Sequence, residues 1–220
     1  FFVPGLVLIQ ICLLFRGQKK RRKKTASAVA VLMVFILSCT GCAGIEPEKR
    51  MYPLAMGVDV SEGEYILTYA MPDLPRATGQ GKEEEDGNQT LQVRGKSFEE
   101  IKSRYERSQE KYLDIGHLQI LILSQDLTET DMWKDFFEYL REEPLAGENI
   151  YVFQTQEPEK LLGWKEGGTS VGEYITGLME NRMDREQKNG VTLRQVYYQW
   201  YQNGTLKKLP KITLSEDQIQ

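Results

Sequence analysis

A basic run, an apolar stretch and a two-cysteine motif follow one another near the start of the chain, and together they set where the rest must fold and by what means. The basic run is R-G-Q-K-K-R-R-K-K at residues 16–24, residues 26–38 have the composition of a signal h-region, and I-L-S-C-T-G-C closes the series at residues 36–42. That order reads as an export signal ending in a cysteine that receives a lipid. The 178 residues beyond Cys42 hold no cysteine, because the three in the chain are Cys12, Cys39 and Cys42. An internal disulfide and a thiolate nucleophile are therefore excluded from that part. Its stability must come from apolar burial, and 178 residues suffice for one substantial core.

Cys42 is the preferred attachment site. Thr40 and Gly41 precede it, small residues that let a processing enzyme draw backbone and thiol into a narrow site, whereas Cys39 follows Ile36-Leu37-Ser38. Cys39 is the alternative, and a cleaved signal or an uncleaved anchor is the reading without lipid. A second apolar segment, residues 1–15, is broken by Gln10 and is short for a spanning helix. The expected organisation is an upstream artefact or membrane remnant at 1–18, a signal with lipobox at 19–42 and a tether at 43–52. A folded region then occupies 53–214, and 215–220 opens a linker or a further region.

Charge narrows the partners. The formal net charge of −4 conceals a division: seven of the 28 basic residues lie in 16–24, and all 32 acidic residues follow Cys42. The exported part thus carries 21 bases against 32 acids, which argues against nucleic acid or an anionic surface as its main partner.

Within that part, P-L-A-M-G-V-D-V at 53–60 and E-Y-I-L-T-Y-A-M at 64–71 predict two strands joined at Ser61-Glu62-Gly63, a hairpin. Residues 76–88 hold three glycines and four consecutive acids and predict a solvated excursion before a strand near 90–94. Ser97 and Glu100 have capping-box spacing ahead of Phe98, Ile101, Tyr105 and Tyr112, so a helix is expected to about Lys111. H-L-Q-I-L-I-L at 117–123 predicts a central strand. Thr128 and Asp131 offer a helical start before Trp133, Phe136, Phe137 and Leu140, an aromatic face expected in the core rather than on a ligand. A strand at 150–154, a short helix from Pro158 to Gly163, and helices capped by Ser170 and Thr192 complete the pattern. Tyr174, Ile175 and Leu178 mark the apolar face of the first of these, and Val196, Tyr197, Trp200 and Tyr201 that of the second. The antiparallel opening hairpin favours an α+β fold, a mixed sheet with packed helices, over a purely alternating α/β one.

No catalytic constellation stands out. His117 is the only histidine, without the H-E-x-x-H or acidic-loop patterns that build metal sites, and its expected role is structural or at an interface. Asp59 and Asp114 are expected to anchor strand ends rather than to form a catalytic pair. Ser170 lies in G-G-T-S-V-G, not in a G-x-S-x-G elbow. The N-x-T sequences at Asn88 and Asn203 read as polar turns. No cofactor or metal is expected.

The ordered combination of C-A-G-I-E at 42–46, A-M-G-V-D at 55–59, G-K-S-F at 95–98, G-H-L-Q-I-L-I-L at 116–123 and F-F-E-Y-L-R-E-E at 136–143 resembles the N-terminal region of the bacterial spore-germination Ger(x)C family. That resemblance implies a non-enzymatic lipoprotein C subunit of a nutrient germinant receptor, acylated with a palmitate-type chain. It would be held extracytoplasmically at the spore inner membrane, with an integral-membrane A subunit and a transporter-like B subunit as partners. Direct binding of a small molecule is not implied by these motifs. Gly116, His117, Arg141, Glu142 and Glu143 are the residues expected at the subunit interface. The binding-module alternative is an extracytoplasmic substrate-binding or envelope-assembly lipoprotein, and an envelope enzyme stands third.

Overall fold

The computed structural model describes residues 29, 33, 46–72, 90–166, 169–181, 190–215 and 218–219. The chain divides into two units, Phe1–Ile45 and Glu46–Gln220. In the first, Val29 and Met33 are helical and exposed. Apart from these two residues, the segment expected to be an export signal, with Cys39 and Cys42, and the acidic stretch 76–88 lie outside the described residues.

The second unit is built on strands β1 (Arg50–Met51), β2 (Ala55–Ser61), β3 (Glu64–Ala70), β4 (Thr90–Gly95), β5 (Tyr112–Leu113), β6 (Ile120–Ser124), β7 (Tyr151–Thr155), β8 (Lys165–Glu166), β9 (Thr169–Ser170), β10 (Val191–Thr192), β11 (Leu214–Ser215) and β12 (Gln218–Ile219). Its helices are α1 (Phe98–Ser108), α2 (Gln125–Glu129), α3 (Met132–Glu142), α4 (Pro158–Leu162), α5 (Val171–Asn181) and α6 (Leu193–Asn203). Six strands form one sheet in the order β10-β7-β6-β2-β3-β4. The β2-β3 and β3-β4 pairs are antiparallel, β2-β6 and β6-β7 are parallel, and β10 returns antiparallel to β7. This is the expected mixed sheet with packed helices.

Local chemistry accounts for the hairpin. Glu62 and Gly63 both have positive φ, 53° and 76°, as a two-residue turn needs when it must match the twist of its strands. The parallel centre follows from burial on both faces. Along β6, Leu121 and Leu123 enter a core with Phe98, Phe136, Phe137 and Val196, whereas Ile120 and Ile122 enter a second core with Leu161, Leu162, Val171 and Ile175. Each such side chain contributes about 1.5–3 kcal/mol on leaving water. Helices α1, α3 and α6 thus cover one face, and α4 and α5 the other. Gly57 in β2 permits the close seat of α4: a Cβ there would stand 2.5 Å from Leu162 Cδ1.

Several boundaries differ from the sequence pattern. The strand expected over 117–123 begins at Ile120, because Asp114 Oδ1 accepts from the Gly116 amide at 2.9 Å and turns 115–117 into a 3-10 segment that includes His117. Helix α1 ends at Ser108 rather than near Lys111, where the Gln109 amide makes the last bond, to the Tyr105 carbonyl, at 2.9 Å. The helical start between Thr128 and Asp131 resolves into two helices, α2 capped by Ser124 and α3 without a side-chain cap. Leu178 and Tyr201 are exposed, while Met179 takes a buried position in α5. Among the described residues, no helix is long and apolar enough to cross a membrane.

Candidate functional site

Two features converge between the C-terminal ends of α1 and α3. The first is a cavity of about 350 Å³. Its floor is Met56 of β2 and Tyr69 of β3, directly paired across the sheet. Ile101 and Tyr105 of α1 form one wall, Tyr139 and Leu140 of α3 another, and Ile115 and Leu145 close the end. The exposed side chains of Lys102, Glu106, Glu110 and Lys111 stand at the mouth, with half-buried Glu143.

The tyrosines here are held in the neutral form. Tyr69 is 3% exposed, and its hydroxyl is pushed well up, first by burial and then by Tyr139, Tyr105 and Glu143. Tyr139 is shifted the same way by burial and by the Glu143 carboxylate. Tyr105 is raised by burial, and its hydroxyl donates to the Lys111 carbonyl at 2.8 Å. Phe98 stacks on Tyr139 at 4.5 Å between centroids and fixes the tyrosine ring against α1.

The second feature is the meeting of the residues expected at the interface. Arg141 and Glu142 are exposed at the end of α3, Glu143 is half-buried, and Gly116 and His117 are exposed on the 3-10 turn. A Cβ on Gly116 would lie 3.7 Å from the Leu145 carbonyl, so this turn abuts the chain just after Glu143. Asp114 holds the turn in place. It is 5% exposed, caps Gly116 and accepts from Arg50 Nη1 at 2.6 Å. Burial acts to raise its carboxyl, but the hydrogen bonds from Arg50 and Gly116 prevail and hold it below the usual aspartate range. The His117 ring meets Tyr52 edge to face at 4.9 Å.

The residues weighed for catalysis stand apart in role. Asp59 accepts from the Val60 amide at 2.8 Å, a local strand contact, and Asp114 is an ion-paired cap. Ser170 caps α5 in a reciprocal pair with Glu173: its amide donates to the carboxylate at 3.1 Å, and its Oγ accepts from the Glu173 amide at 3.5 Å. Asn203 ends α6, followed by Gly204 in the left-handed region, which makes this N-x-T a turn. Among the described residues, no group of three or more His, Cys, Asp or Glu side chains could hold a metal ion.

The family model described as the spore germination protein N-terminal domain matches residues 44–214. The chain belongs to this family. No match was found among curated proteins or among solved structures. As a spore germination N-terminal domain, the chain has a role like that of a germinant-receptor subunit. The α1–α3 cavity of this germination domain had no signature in the sequence. Its tyrosines come from a strand and two helices far apart in the chain, and each reads locally as an ordinary core position. The one available hint was Tyr105 and Tyr112, seven residues apart and bracketing the polar end of α1.

Proposed function

We propose that the protein is a lipoprotein subunit of a spore nutrient germinant receptor, anchored through Cys42 to the outer face of the spore inner membrane. There it supports assembly with an integral-membrane A subunit and a transporter-like B subunit and so supports nutrient-triggered germination. The observation that carries this reading is the position of the family match: it starts at residue 44, two residues beyond Cys42, so the germination domain follows directly on the lipid-attachment motif. Tethering confines the domain to a thin layer at the membrane, where modest contacts are enough for association. The exposed turn at Gly116-His117 and the charged end of α3, Arg141-Glu142-Glu143, form the contact surface in this reading. Rim charges of this kind steer partners more than they add affinity.

Affinity purification of the full chain from developing spores, with intact-mass measurement, tests it. The wild type and Cys39→Ala are expected to be acylated and recovered with both membrane subunits, and Cys42→Ala to be neither. Acylation lost in Cys39→Ala alone would move the attachment site. An unmodified wild type recovered without those partners would overturn the receptor reading.

A further inference from the structure

We infer that the cavity between α1 and α3 is a binding site for a small organic cation with an apolar body. Three observations lead there, and none depends on the receptor assignment. About 350 Å³ lies within the range of small-ligand pockets, and Met56, Ile101, Ile115, Leu140 and Leu145 give it an apolar lining suited to a compact hydrocarbon group. At its floor, Tyr69 lines the cavity, and its hydroxyl lies close enough to Tyr139, Tyr105 and Glu143 to feel all three. A phenol oxygen so placed can accept a hydrogen bond from a donor that enters the cavity.

The third observation is the sign of the site. Tyr69, Tyr105 and Tyr139 bring neutral aromatic rings and phenol oxygens to the cavity, a lining that attracts cations through ring faces and accepts hydrogen bonds from ammonium groups. Glu106, Glu110 and Glu143 stand against Lys102 and Lys111 at the rim, so the carboxylates are in excess. Glu143 is set deepest of the three, beside the Tyr139 hydroxyl. A ligand ammonium donating to Tyr69 and Glu143, with its apolar body over Met56 and Leu140, matches the lining and the charge together. An anion would meet those carboxylates.

Isothermal titration of the full chain in lipid nanodiscs, with empty nanodiscs as the blank, tests this using three probes that share a phenyl-bearing body. These are 2-phenylethylamine, 2-phenylethanol and phenylacetate. The amine is expected to bind at least tenfold more tightly than phenylacetate, with the alcohol between them. Tyr69→Phe keeps the ring and removes the hydroxyl, and it is expected to weaken the amine about fivefold to tenfold, as loss of one hydrogen bond does. Glu143→Gln is expected to weaken the amine about tenfold and to leave the alcohol unchanged; should Tyr69→Phe melt early, this variant decides alone. The inference is overturned if the wild type binds no amine at millimolar concentration, if phenylacetate binds as well as the amine, or if neither substitution changes amine affinity.

Discussion

Asp114 illustrates how one side chain holds a local structure in place. One carboxylate oxygen caps the 3-10 turn at Gly116 and the other receives Arg50, which ties β1 to the turn next to β5. A carboxylate whose folded pKa lies below its unfolded value contributes stability that is complete above the unfolded pKa, about 3.9 for aspartate, and is lost as pH falls through the folded value. Thermal melts of the wild type are therefore expected to drop progressively below about pH 4. Asp114→Asn keeps an acceptor for Gly116 but loses the charge facing Arg50. It is expected to melt lower at pH 7 and to show a flatter acid limb; parallel acid limbs in the two proteins would remove Asp114 from the account.

Among the elements, four helices start on the same device. Ser97 accepts from the Glu100 amide at 3.3 Å, Ser124 from Leu127 at 3.0 Å, Ser170 from Glu173 at 3.5 Å and Thr192 from Gln195 at 3.4 Å. Each satisfies a backbone donor that a helix start leaves without a partner. At α6 the box is reciprocal, since the Thr192 amide donates to Gln195 Oε1 at 3.2 Å. At α1 the return bond is displaced by one residue, because Glu100 accepts from Lys96 instead of Ser97, at 2.9 Å. Helix α6 then carries Trp200 against Trp133 and Tyr197 against Phe137, so its start and its packing face fix one another. Thr192→Ala is expected to lower the unfolding free energy by about 1 kcal/mol, and Thr192→Ser to retain most of it, in urea denaturation. A loss well beyond that range would mean that the cap also orders β10.

The molecule as a whole buries tyrosines under helices on one face of the sheet. Burial, followed by Asp135, pushes Tyr65 up to about 12, and Tyr69, Tyr139 and Tyr197 are raised as well, each first by burial. A phenol whose folded pKa exceeds its unfolded value, about 10, contributes stability that is complete below pH 10 and disappears as pH rises through the folded value. Alkaline titration followed by tyrosinate absorbance is expected to show one set of tyrosines ionising near pH 10. The buried set should ionise only above about pH 12, together with loss of secondary structure. Ionisation of all of them in one step near pH 10, with the fold intact, would contradict the packing of that face.

Much of this molecule is written in short-range patterns. Capping residues stand within three positions of their partners, the Glu62-Gly63 turn lies between two strands rich in β-branched and aromatic residues, and the aromatic face at Trp133, Phe136, Phe137 and Leu140 repeats at helical spacing; all are read within a dozen residues because the forces that set them act over that distance. The family motifs are likewise contiguous and legible. The parallel pairing of β6 with β2 and β7 was not, since a strand buried on both faces has no alternation to mark its neighbour or direction. Nor was the start of β6, where a carboxylate at Asp114 outweighed the strand preference of the residues that follow. Gly116 and Glu143 come to one edge, and Tyr69, Tyr105 and Tyr139 to one cavity, only when the sheet and two helices pack. No local pattern carries that arrangement, because it is set by contacts between residues dozens of positions apart.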